Sequence, residues 1–191
     1  AESATGTPHE NLLEELVLIP SQMRRTSYAP DTFTFPEEMD RGYMELFHVG
    51  ELVDVSETYA CNQVGPEGGV VSTASDVGRF LWEVFDAKSL LSDASIEEMT
   101  RWIAVEESPD RPGYGLGFAT WQTRYGMAIG HIGQEFGYLT FAYYFPDQRV
   151  SFVFMTNASS ISEPIEGNLT HTVVEEILPS LLDVLSSADA L

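Results

Sequence analysis

The chain of 191 residues contains one cysteine, one lysine and only nine Lys and Arg in all, against thirty Asp and Glu. Each scarcity excludes something. A lone Cys61 cannot form an internal disulfide, and with no constellation of partners around it the thiol reads as a small buried apolar group. A formal net charge of -21 excludes nucleic acid and anionic lipid surfaces as partners. No apolar run is long enough to span a bilayer. Ala1-Glu2-Ser3-Ala4 has neither the basic nor the apolar region of a signal peptide, which leaves room for an exported parent protein whose start precedes Ala1. The only lysine, Lys88, has Phe85 three residues before it. The chain therefore lacks any Ser-x-x-Lys pair, in which an amine one helical turn away takes a hydroxyl's proton.

What is present points to a folded domain. The apolar share of 43% and aromatic share of 12% suffice for a sizeable core in a chain of this length. The acids are scattered rather than gathered in a tail, as at Glu14, Glu15, Glu37, Glu38, Asp40, Glu97, Glu98, Glu106 and Glu107. Scattered carboxylates make a solvated face; at this density they also fit adaptation to high salt, where screening removes the self-repulsion.

Along the chain, Thr7-Pro8-His9-Glu10 predicts a helix start with Thr7 as cap, an apolar stripe at Leu12, Leu13, Leu16 and Val17, and an end at Pro20. Residues 21–36 read as irregular loop, and 41–54 as a weak strand pair. Gly65-Pro66-Glu67-Gly68-Gly69 reads as a tight turn. A helix follows from Asp76 to about Ala87, with Val77, Phe80, Leu81, Val84 and Phe85 buried, and a shorter one runs from Ser92-Asp93 to about Trp102. From Tyr114 the pattern turns to strands: a hairpin over Gly115–His131 turning at Tyr125-Gly126, then Tyr138–Phe145, a turn at Pro146–Arg149, and Val150–Thr156. A last helix over 164–185 carries Ile165, Leu169, Val173, Ile177, Leu181 and Leu185 at helical spacing, with Pro179 implying a kink. The expectation is one domain over 1–191, mainly helix and loop over 1–112, then antiparallel strands and a helix packed on them over 113–191. That is an α/β arrangement of α+β type without βαβ crossovers.

Six blocks in order resemble the serine β-lactamase and D,D-peptidase superfamily, in its class C and penicillin-binding-protein-like esterase branch. They are Glu15–Thr26, Arg41-Gly42-Tyr43, Gly68–Phe80 with its Ser72-Thr73-Ala74-Ser75-Asp76, Tyr114-Gly115-Leu116-Gly117-Phe118, His131-Ile132-Gly133 with Gly137-Tyr138, and Pro146-Asp147 with Asn157. The resemblance covers nearly the whole chain. It implies the C-terminal part of a β-lactamase/transpeptidase-like fold, because the family's Ser-x-x-Lys and Tyr-x-Asn motifs precede the helix that begins here at Thr7.

By the same resemblance, His131 stands where the family often has Lys, and the backbone N–H of Gln134 donates one oxyanion-hole hydrogen bond. Such a donor is worth roughly 3–4 kcal/mol. Ile132, Gly133, Gly137 and Tyr138 would line the substrate. Ile132 replaces the hydroxyl residue that binds a substrate carboxylate, which favours an ester or another neutral acyl substrate. Against this stand ordinary roles: a strand-end histidine satisfied by a backbone carbonyl for His131, and turn or bulge glycines for Gly133 and Gly137. No cofactor is implied, and no metal: His171 and Glu175 lie one helical turn apart without a third ligand. The resemblance implies hydrolysis of a small acyl ester or amide through an acyl-serine, in partnership with the absent N-terminal half, and an inactive chain when alone. The alternative is a non-catalytic binding module whose open sheet edge pairs with itself or a partner.

Overall fold

Alternating burial in the run Tyr138–Phe145 locates the main sheet: Leu139, Phe141, Tyr143 and Phe145 are buried on one face and Tyr144 on the other. The computed structural model describes residues 1–28, 39–46, 50–56, 68–104, 113–160 and 172–188. The chain divides into two compact units. The first comprises Ala1–Pro36, Ala60–Gly133 and Thr140–Met155; the second comprises Glu37–Tyr59, Gln134–Leu139 and Thr156–Leu191.

The helices and short strands come first. α1 is Glu2–Thr5 and α2 is His9–Leu13, which runs on into a π-helical turn over Glu14–Leu18. β1 (Ser27–Tyr28) pairs antiparallel with β4 (Val70–Val71), while β2 (Tyr43–Glu45) and β3 (Leu52–Asp54) form the strand pair expected over 41–54. α3 covers Ala74–Phe85 and α4 covers Asp93–Met99. β5 (Ile103–Ala104), β6 (Gly113–Tyr114), β7 (Ala119–Thr123), β8 (Gly126–Glu135), β9 (Tyr138–Phe145) and β10 (Val150–Thr156) make a six-stranded sheet in the spatial order β10-β9-β8-β7-β6-β5. β11 (Ala158–Ser160) runs parallel to β2, giving a three-stranded sheet β11-β2-β3. A π-helical turn at Thr172–Ile177 leads into α5, Leu178–Ala188. The fold is a mixed α/β arrangement of antiparallel sheets and helices.

The core of the first unit is the face of α3. Leu81, Val84 and Phe85 are buried with Ile129 of β8 and Tyr144 of β9, and Phe80, Met99, Trp102, Phe118 and Val153 pack around them. Phe85 meets Phe118 edge-on at 4.9 Å and stacks on Tyr144 at 5.7 Å. Each such side chain contributes about 1.5–3 kcal/mol on burial. α3 starts where Ser-Thr-Ala-Ser-Asp predicts a helix start: the Thr73 hydroxyl accepts the N–H of Asp76 at 3.2 Å.

Two expectations are corrected by π-helical turns. An i→i+5 hydrogen bond widens the turn and displaces every later side chain around the axis. At the first such turn, Ile19 N–H donates to Glu14 O, and the half-buried set becomes Leu12, Leu13, Val17 and Leu18. Leu16, expected on the apolar stripe, is 64% exposed. Likewise, among the residues of the last helix whose burial is described, Val173, Leu178, Pro179 and Leu182 are buried, while Ile177 and Leu181 face outward. Pro179 explains the second shift, since it lacks the N–H for an α-helical bond and its ring crowds the preceding carbonyls. Two smaller differences also appear. α2 begins without a cap from Thr7. The loop over 21–36 contains β1. Trp82 lies at the surface, beneath the Arg149 guanidinium at 5.8 Å.

Candidate active site

β8 outruns its neighbour. β7 pairs with Gly126–Gly130 only, ending at Ala119↔Gly130, so His131–Glu135 extend beyond it. Side-chain alternation puts His131 and Gly133 on one face and Ile132 and Gln134 on the other. His131, Gly133 and Gln134 are exposed and Ile132 is half-buried.

Both ring nitrogens of His131 are engaged. Nε2 lies 3.0 Å from the Tyr114 hydroxyl, and the two rings meet edge-on at 5.7 Å. Nδ1 lies 2.5 Å from the carbonyl oxygen of Ile132. The carbonyl contact of an ordinary strand histidine is therefore present, and a second contact is added to it.

The glycines of this region separate into two kinds. A Cβ on Gly130 would sit 2.0 Å from the Ala142 carbonyl oxygen and 2.7 Å from Tyr143 Cα. Only glycine allows that strand approach. A Cβ on Gly133 would meet nothing nearer than Thr140 Cβ at 3.7 Å, an ordinary contact, and its φ is not left-handed. Packing makes no demand for glycine at 133.

Gly137 and Tyr138 are engaged within the second unit. Gly137, in the turn joining β8 to β9, has φ +79°, and a Cβ there would sit 2.8 Å from both Gly42 C and Val55 Cγ2. Its N–H donates to the buried Ser159 Oγ at 2.9 Å. The Tyr138 hydroxyl donates to Asp40 O at 2.8 Å, its ring covers Gly42, and burial raises its pKa. Nearby, Gly42 N–H donates to Ser56 Oγ and Asn157 Nδ2 donates to Arg41 O, both at 2.8 Å. Ser56 in turn donates to Asp54, whose carboxyl is held at about 2, chiefly by its hydrogen bond from Arg41.

A sequence model of the Beta-lactamase family matches residues 1–170. The chain belongs to the beta-lactamase family. Among solved structures, the D-stereospecific amidohydrolase from Streptomyces sp. is 28% identical, with a TM-score of 0.73 over 82% of this chain and 46% of its own. The D-amino acid amidase from Ochrobactrum anthropi SV3, complexed with L-phenylalanine amide, is 22% identical, with a TM-score of 0.80 over 98% of this chain and 54% of its own. The octameric penicillin-binding protein homologue from Pyrococcus abyssi is 23% identical, with a TM-score of 0.75 over 95% of this chain and 39% of its own. The last two show the shared fold. This beta-lactamase-family chain spans about half the length of the structures it matches.

Two anchors of this family member have no local sequence signal. Tyr114 is visible in the sequence only as the first residue of Tyr-Gly-Leu-Gly, and its contact with His131 arises only when the strands assemble. Asp76, whose carboxylate suits the helix N-terminus it opens, also accepts hydrogen bonds from Arg25 N–H at 2.8 Å and Thr26 Oγ1 at 2.9 Å. His171, the weaker metal candidate, lies outside the described residues. Among the described residues, no cluster of three or more His, Cys, Asp or Glu is placed to hold a metal ion, and no helix is long and apolar enough to cross a membrane.

Proposed function

We propose that this chain is the C-terminal segment of a halophilic serine hydrolase that cleaves a small acyl ester or amide through an acyl-serine. The serine and its lysine come from a segment outside these 191 residues, as does the tyrosine of the family's second motif. In this reading His131 carries the polar side chain of the site, the backbone N–H of Gln134 is one oxyanion donor, and Gly133 lets the acyl group approach the strand. Ile132 takes the position of a carboxylate-binding hydroxyl and favours a neutral acyl substrate. Gly137 and Tyr138 line the substrate, as the resemblance to the family's third motif implies.

The observation that carries the reading is Gly133. It is exposed, on the same face as His131, beyond the end of β7, and glycine without a packing reason. Membership of the beta-lactamase family and the likeness to amide-hydrolysing enzymes support acyl transfer as the reaction class. The acyl step forms a bond from the serine oxygen to the substrate carbonyl carbon and expels the amine or alcohol with a proton; water then releases the acid.

The test compares p-nitrophenyl ester and p-nitroanilide hydrolysis by the chain alone and by the chain joined to the segment bearing Ser-x-x-Lys, each in molar salt. Turnover by the joined protein only, lowered at least tenfold by His131→Ala, is expected. No turnover in either form favours the second reading, a non-catalytic module that self-associates or binds a partner along its sheet edge. The net charge of -21 supports the high-salt assignment; far-UV circular dichroism unchanged between molar and millimolar salt would sink it.

A further inference from the structure

We propose that Tyr114 is the positioning residue of His131, fixing the ring together with the Ile132 carbonyl as its neutral Nδ1–H tautomer, so that the pair shows the substrate a phenol oxygen rather than an imidazole N–H. The chemistry of the partners dictates the protons. The Ile132 carbonyl oxygen can only accept, so Nδ1 at 2.5 Å carries the hydrogen. In a neutral ring the other nitrogen is then an acceptor, so the Tyr114 O–H at 3.0 Å donates to Nε2. With its proton committed, the phenol keeps oxygen lone pairs for an outside donor, such as an N–H or O–H of the substrate.

Tyr114 is itself firmly placed. Its backbone pairs with Ala119, which pairs with Gly130, so β6 is held in register two strands from His131. The turn that follows is pinned: Gly115 N–H donates to Phe118 O at 2.8 Å and Leu116 N–H to Met99 O at 2.9 Å. A Cβ on Gly115 would sit 2.2 Å from that same Met99 oxygen. Register and turn together hold the strand end from which the hydroxyl reaches Nε2. Tyr114 is 42% exposed, so loss of its hydroxyl does not disturb the core.

What the pair offers to a substrate rests on the hydrolase reading; the state of the ring does not. The experiment therefore reads the ring. Long-range proton–nitrogen spectra of the ¹⁵N-labelled 191-residue chain are recorded in molar salt at about pH 8.5, above the ordinary imidazole range, with His131→Asn identifying the signal. A single Nδ1–H tautomer in the parent, and in Tyr114→Phe a measurably larger Nε2–H share with the rest of the spectrum unmoved, is expected. An Nε2–H or averaged ring in the parent, or an identical ring in Tyr114→Phe, overturns the proposal. If Tyr114→Phe unfolds, the parent spectrum alone decides.

Discussion

The carboxylate of Asp76 accepts the backbone N–H of Arg25, 51 positions earlier in the chain, at 2.8 Å. The same oxygen accepts the Thr26 hydroxyl, which also hydrogen-bonds Ser72 at 2.7 Å. The start of α3 thereby ties down the segment leading into β1. Hydrogen bonds to a charged acceptor contribute about 1.5–3 kcal/mol, and an abandoned donor adds its desolvation cost. Asp76→Ala is expected to lower stability by about 2–4 kcal/mol, read from the urea midpoint in molar salt. A midpoint equal to that of the parent would leave this tie without energetic weight.

Gly130 and Gly133 make opposite predictions three residues apart. Gly130→Ala forces a methyl against the Ala142 carbonyl, a form of overpacking that costs about 1–3 kcal/mol or more. Gly133→Ala meets only an ordinary contact and is expected to stay within about 0.5 kcal/mol of the parent, while lowering acyl transfer at least tenfold in the joined protein. Equal thermal shifts for the two variants would show that packing also demands the second glycine.

The last helix tests the effect of a π-helical turn. Leu178→Ala and Leu182→Ala each remove a side chain that is 2% exposed and are expected to cost about 2–5 kcal/mol. Ile177→Gln and Leu181→Gln alter outward-facing positions and are expected to change stability by less than about 0.5 kcal/mol. Chemical denaturation of the four variants checks the assignment of faces; the reverse order would restore an unbroken α-helical period.

Those faces mark where the sequence ceases to be legible. Tyr138–Phe145 and Val150–Thr156 are read to the residue, because strand-forming side chains there are bounded by turn residues on both sides. α3 is read nearly as well, through Thr73, Asp76 and a clean apolar period. Periodicity assumes 3.6 residues per turn, so a π-helical turn in each helix leaves Leu16 in one, and Ile177 and Leu181 in the other, at the surface. The pairing of Ser27–Tyr28 with Val70–Val71 joins distant dipeptides that have no pattern of their own. In the candidate site, His131 and Gly133 enter through the resemblance of His131-Ile132-Gly133 to a family motif, whereas the contact of Tyr114 with His131 joins residues of two separate strands, which no local motif encodes.

Among the described residues, Tyr144 and Asp54 each tie stability to one end of the pH range. Burial, with the hydrogen bond to Asp86, pushes Tyr144 up from 10.0 to about 12. A phenol whose pKa is raised on folding contributes stability that is complete below about 10 and is lost as pH rises through 10 to 12. Asp54 is depressed from 3.8 to about 2 by Arg41 and Ser56, so its contribution is complete above about 4 and is lost as pH falls toward 2. Thermal unfolding across pH is expected to lose part of its alkaline limb in Tyr144→Phe and part of its acid limb in Asp54→Asn. Unchanged limbs in both would detach these groups from stability.

The origin of the nucleophile is tested most directly by intact-mass analysis after exposure to a fluorophosphonate and to a penicillin. The purified 191-residue chain is expected to keep its mass, and the protein completed with the Ser-x-x-Lys segment is expected to carry one adduct, on that segment's serine. An adduct on any serine of the 191-residue chain alone would contradict the account.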